Sequence, residues 1–338
     1  MTNASHLRVV QPAPASQEEE KLEFEHRVAV YRLLVPVLYL VGAYVHAKRA
    51  LYGLLVPLLC SIGAYVHGKR ALYEFVNKEP RTNFWLVDGI SANSRRVKDG
   101  AAKWQALDTC YNFDGKGEGA GSFTRDIDRF WLNVRNAQAV RNRLKIVKRE
   151  LAKANRALAQ PGRPVRVLSL AAGAAQGLAE VMAELRDEGI KVEALLIDKD
   201  ESALDHARSL AEKHGVGAAI RMLCGEVLVF DHVIRKSGID FKPDIVEMCG
   251  LLDYLDTALA VRLVKKIFRQ LHDEGFFLTC HIHPNHEAYF LNHVVNWWML
   301  YRTPAELKNI VVEGGFMKVE LHSEPHGIHS VAVAQKCI

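Results

Sequence analysis

VRVLSLAAGAAQG runs from Val165 to Gly177. Six residues rich in β-branched and apolar types empty into a run of alanine and glycine, after which a helical pattern begins. A short apolar run that passes through small residues into a helix is the opening of a βαβ unit. The same succession repeats downstream. KVEALLI (191–197) precedes a helical pattern to about 214, and AIRMLC (219–224) and DIVEMC (244–249) follow. After a helix expected over about 257–272 comes GFFLTCHI (275–282). Strands alternating with helices predict a parallel sheet. The end differs: only a short turn separates FMKVELHSEP (316–325) from HSVAVAQK (329–336), so these two predict an antiparallel pair at a sheet edge.

In open sheets of this kind, ligands bind beyond the carboxyl ends of the strands. The loop after the first strand is made of small residues, which let backbone approach a ligand, and the next helix offers free amides there. The second strand ends in Asp198, followed by Lys199, Asp200 and Glu201. An acid in that place suits ribose hydroxyls. Gly225-Glu226 follows the third strand, and EMCGLLDYLD (247–256) continues the fourth.

On these residues, the chain from about 125 to 338 resembles the class I S-adenosylmethionine-dependent methyltransferases. GLLDYL and the later HPNHEAYFLNHVVNWWMLYRTPAELKNIVVEGGF (283–316) are similar to a bacterial subgroup of them. The resemblance implies an α/β fold: a Rossmann-like, doubly wound, seven-stranded methyltransferase sheet with an N-terminal helical cap. It implies S-adenosyl-L-methionine as cofactor. Ala171, Ala172 and Gly173 would lie against it, Asp198 on its ribose with Lys199 adjacent, Glu226 at its adenine and Cys249 at the fourth strand end. In the helical pattern before the first strand, Arg141 or Arg143 either meets the cofactor's carboxylate through a fork of donors or belongs to a solvated basic face. The chain departs from the family at Ser169, where an acid is usual, and at Ala171 and Ala175, where glycines are usual.

Methyl transfer is an in-line displacement, in which a protein mainly supplies proximity and excludes water. A base is needed only when the nucleophile starts protonated, so no fixed triad is expected. His283, after the fifth strand, and Tyr254 are the expected catalytic groups. His281, His283 and His286 have an HxHxxH spacing, but no acid completes a first shell and no metal is expected. Asp253 either lines the pocket or caps a helix. Tyr111, Asn112, Asn133, Asn285 and Trp297 are the expected acceptor contacts. Trp297, Trp298 and Tyr301 are expected on one helix, and the Gly-rich 111–126 stretch reads either as a lid or as a plain flexible linker. The expected reaction is methylation of a small-molecule or lipid-like acceptor. The altered first motif leaves open attack at the aminocarboxypropyl arm, or cofactor binding without turnover.

Upstream lies a tandem repeat. LLVPVLYLVGAYVHAKRALYG (33–53) and LLVPLLCSIGAYVHGKRALYE (54–74) match at 15 of 21 positions. Uncharged runs of 15 residues (33–47) and 19 residues (50–68) are short or marginal for a bilayer. The repeat is therefore expected to be accessory, one copy capping the catalytic part while the other extends or displaces it. Peripheral membrane contact through 33–74 and a homodimer surface stay open. Pro36 and Pro57 are expected near helix starts. The organisation expected is a disordered leader over 1–22, a helical cap region over 23–160 and the methyltransferase domain over 161–338, divided at AQPGRP (159–164). A length of 338 residues suits about two domains. A net charge of +5 is too mild to predict nucleic-acid binding. Six cysteines without a CxxC pair argue against a disulfide framework and, with no visible signal peptide, point to a cytoplasmic protein.

Overall fold

The structure is a computed structural model and describes residues 44–75 and 84–337. Seven strands form one sheet: β1 (Val165–Leu170), β2 (Val192–Asp198), β3 (Ile220–Cys224), β4 (Ile245–Cys249), β5 (Phe276–Ile282), β6 (Lys318–Ser323) and β7 (His329–Gln335). Their spatial order is β3-β2-β1-β4-β5-β7-β6. The first five are parallel, and β7 runs antiparallel to both β5 and β6. The strand order reverses between β1 and β4, which places the binding crevice above that pair.

Alternation along the strands builds two cores. Val165 and Val167 of β1, with Ala194 and Leu196 of β2, face one side of the sheet. Leu168 and Leu170, with Leu195 and Ile197, face the other. The first side is covered by helices Arg135–Leu158, Gln176–Asp187 and Glu201–Lys213. The second is covered by Phe230–Ser237, Thr257–Gln270 and Pro304–Glu313. Asp200 and Asp256 cap two of these helices, and Thr303 and Glu306 form a capping box on a third.

A 32-residue helix, Tyr44–Phe75, carries the repeat. The whole second copy and the last ten residues of the first share it. Pro57 therefore lies inside a helix rather than at its start. Proline leaves the carbonyl four residues back without a partner, a cost the packing of this helix must outweigh. Leu55, Leu59, Ile62 and Val66, spaced four, three and four apart, are buried against Phe290, Leu291, Val294 and Val295. The second copy thus does the capping. The rest of the first copy, with Pro36, and the expected leader lie outside the described residues. No described helix is long and apolar enough to cross a membrane.

Residues before the sheet form two helices, Ser122–Trp131 and Arg135–Leu158, separated by a break at 132–134. The expected helix through Trp297, Trp298 and Tyr301 is absent: residues 296–303 are not helical. Asn296 turns into the left-handed region at φ 62° and ends the preceding turn. The segment then runs extended, its Leu300 and Arg302 amides donating to the Asp253 and Ile282 carbonyls.

Candidate active site

The carboxyl ends of β1, β2 and β4 open into one cavity of about 680 Å³. Ala171 and Gly173 follow β1, Asp198 ends β2, Glu226 follows β3, and Cys249, Gly250 and Leu251 follow β4. Asp198 organises this end. One carboxylate oxygen accepts the Gly173 amide at 2.8 Å and the other accepts the Asp200 amide at 2.9 Å. Together they hold the first loop against the second.

The first loop adopts the left-handed conformation that favours glycine, at two alanines as well as at Gly173. Ala171, Gly173 and Ala175 have φ of 51°, 53° and 48°. Alanine in that region costs about 1–2 kcal/mol. Glycine at 171 and 175 relieves this strain, less the entropy it adds to the unfolded chain. The double variant Ala171→Gly/Ala175→Gly is expected to raise Tm by roughly 2–6 °C in a thermal melt. Ser169 pairs in register with Glu247 of β4, and its hydroxyl donates to the Glu247 carboxylate at 2.6 Å. Burial pushes that carboxyl above its usual range.

An apolar cluster also lines this cavity: Trp131, Phe290, Leu291, Val295, Trp297 and Met299. Arg143, Asp253, Tyr254 and His329 line the cavity as well. Arg143 is buried and donates to the Tyr111 hydroxyl at 2.9 Å. Burial opposes its charge, but the Tyr111 oxygen and acids including Asp253 outweigh burial and hold it a cation. Tyr254 accepts the Trp297 indole N–H at 2.7 Å. Burial pushes its phenol up to about 12, so at neutral pH it can donate a hydrogen bond but not accept a proton.

Asp253 is the end of a buried relay. Its Oδ1 lies 2.7 Å from Nδ1 of His281 and accepts the Ile282 amide at 3.1 Å. Nε2 of His281 lies 2.6 Å from Nη1 of Arg302. A guanidinium can only donate, so Nε2 accepts and the ring proton sits on Nδ1, facing Asp253.

A family model described as "Putative methyltransferase" matches residues 60–336. The chain belongs to this methyltransferase family. No curated protein matches it. Among solved structures, it is similar to one described as a possible exported protein from Bordetella parapertussis, at 17% identity over 83% of this chain and 96% of that chain, with a TM-score of 0.62. It is also similar to the CMeT domain of a citrinin polyketide synthase, at 15% identity over 74% of this chain and 66% of that chain, with a TM-score of 0.50. At these identities the likenesses show the fold: a class I methyltransferase sheet with helices on both faces and a helical region before it.

Within this methyltransferase, several expected residues line the cavity: Ala171, Gly173, Asp198, Lys199, Glu226, Cys249, Tyr254 and Trp297. Ala172 does not, and its amide faces the Ile197 carbonyl. Arg141 does not either. Its guanidinium donates to the Leu132 carbonyl and to Asn133, which ties the interhelical break together and occupies Asn133 as well. Arg143, two positions on, reaches the cavity in its place.

His283 is buried away from the cavity. Nδ1 lies 2.6 Å from the Arg302 carbonyl and Nε2 lies 2.8 Å from the Ser330 hydroxyl. Both nitrogens are engaged, and no acceptor is left for a substrate proton. Asn285 is a turn residue that accepts from Asn136 and the Glu287 amide. Tyr111 sits behind Arg143, and Asn112 is exposed, bonded to Asp108 and Gln176. Residues 112–126 do not line the cavity, which does not bear out the lid reading. Trp104 closes that side instead. It stacks on His206 at 4.3 Å and donates to Ser202 at 3.1 Å. Among the described residues no cluster suits a metal ion.

His329 carries the least expected signal. It lines the cavity, is 3% exposed, and neither ring nitrogen has a hydrogen-bond partner. Burial first, then Arg143, hold its imidazole neutral, well below the usual range. His283 is likewise lowered by burial. Unfolding exposes both rings to water, where they take protons below about pH 6.5. The unfolded state then binds more protons, so stability falls as pH drops, by up to about 1.4 kcal/mol per pH unit for each ring. Tm is expected to decline steadily from pH 7 to pH 5, and His329→Gln to flatten that decline.

Proposed function

We propose that the protein transfers the methyl group of S-adenosylmethionine to a small, largely apolar or lipid-like acceptor. The observation that carries this reading is one cavity lined both by the polar strand ends and by an apolar cluster. The polar strand ends fit the cofactor. Gly173 and Gly250 carry no side chain there, and a Cβ on Gly173 would have 3.7 Å to its nearest neighbour, so backbone is open to a ligand. Asp198 would accept ribose hydroxyls, Glu226 would sit at the adenine, and Arg143 would pair with the carboxylate. Bound there, S-adenosylmethionine supplies an electrophilic methyl carbon.

The apolar cluster holds the acceptor and excludes water, which strengthens the polar contacts inside. Its polar group would meet His329, Tyr254 or Asp253, the buried groups that face the same space. Asp253 is the proton acceptor of choice. The His281 N–H keeps it oriented, and Arg302 keeps His281 in the tautomer that does so.

The test is incubation of the enzyme with S-adenosylmethionine and a cell extract, following cofactor-derived products by mass spectrometry. S-adenosylhomocysteine that accumulates only with extract is the expected result. Methylthioadenosine would instead mean that the aminocarboxypropyl arm is attacked, and neither product would mean binding without turnover.

A further inference from the structure

The groove that receives the second repeat copy matches the first copy as well. Leu55, Leu59, Ile62 and Val66 fill it, and Gly63 lies under Tyr289, where a Cβ would come within 2.6 Å of the ring. His67 meets the His293 ring at 4.6 Å, and Arg70 donates to Asn296 at 2.7 Å. Twenty-one residues earlier the same places hold Leu34, Leu38, Val41, Val45, Gly42, His46 and Arg49. Only Ile62 differs, by one methylene. Four of the other five differences between the copies, at Leu58, Cys60, Ser61 and Gly68, fall on exposed positions of the helix.

We propose that residues 33–53 are an alternative occupant of this groove, so that the body has one docking site and two competing copies of its ligand. Phe290, Leu291 and Val295 both receive the helix and line the cavity. Whichever copy docks therefore braces the apolar wall, and exchange between copies loosens it.

Two penalties set the balance. Docking the first copy lengthens the connection to Phe84 by 21 residues, a penalty of roughly sixfold in population. Valine for isoleucine at the buried position weakens docking roughly fivefold. Together they leave the first copy in the groove in roughly 3% of molecules, a minor state that a change in the second copy can promote.

The test starts from Leu59→Asp, which places a charge in the groove and disables the second copy. Cysteines replace His46 and His293 in the full chain, and mild oxidation with diamide followed by peptide mapping scores the bridge between them. The expected result is a bridge within one chain that rises at least tenfold when Leu59→Asp is added. No rise, or a bridge formed only between chains, overturns the proposal. A second variant guards against a folding failure. Deleting residues 54–74 joins Gly53 directly to Phe75 and sets the first copy in the second's register. The chain is expected to keep its Tm within a few degrees, whereas deleting 33–74 lowers it. Equal loss in both deletions overturns the proposal.

Discussion

Asp198→Ala is expected to weaken S-adenosylmethionine binding at least about 100-fold, measured by calorimetry. The carboxylate has two tasks at once. It would accept ribose hydroxyls, and it holds the Gly173 and Asp200 amides at 2.8 and 2.9 Å. Hydrogen bonds to a charged group contribute about 1.5–3 kcal/mol each, so the loss of one such contact to the ligand with collapse of the loop reaches this magnitude. Asp198→Asn keeps one acceptor oxygen and should lose roughly tenfold. Its melting curve separates the two tasks, because only the loop contacts contribute to the ligand-free fold. Affinity within threefold of the wild type in the alanine variant would remove Asp198 from the site.

Arg302→Met is expected to cost about 3–5 kcal/mol of stability, a fall in Tm on the order of 10 °C. Methionine nearly keeps the volume but none of the donors. Arg302 is 7% exposed and donates to the Leu252 carbonyl at 2.9 Å, the Leu255 carbonyl at 2.5 Å and His281 at 2.6 Å. Without it, three buried acceptors lose their partner, and His281 is free to change tautomer and release Asp253. Turnover should therefore fall further than the melting curve alone explains. A variant that melts like the wild type would show that the relay does not hold the 251–255 turn. Thermal melts followed by circular dichroism decide it.

Much of this was legible from short segments. The apolar runs after Pro164 became strands within a residue or two of the expected bounds, and those at the centre of the sheet, β1 and β2, alternate between two buried faces. Asp198, Glu226 and the 171–173 loop could be placed because strand ends converge in a doubly wound sheet whatever the loops do. What could not be read was which side chain of a helix turns inward. Arg141 and Arg143 differ by two positions, about 200° around a helix, and only packing at the 132–134 break chose between them. His283 is two residues from His281 on one strand, yet Ser330 and the Arg302 carbonyl engage it while its neighbour supports Asp253. Those partners lie 19 to 47 positions away, beyond any local pattern. Glu247 had a signal that register alone reveals: it stands beside Ser169 across β1 and β4. His329 had none, since the first residue of an edge-pair strand is ordinarily exposed.

The most direct measurement is a calorimetric titration of the wild-type enzyme with S-adenosylhomocysteine, repeated with Arg143→Met. Saturable one-to-one binding is expected, weakened at least tenfold when the buried cation is removed. No binding to the wild-type enzyme, or binding that Arg143→Met leaves unchanged, would contradict the placement of the cofactor between Asp198 and Arg143.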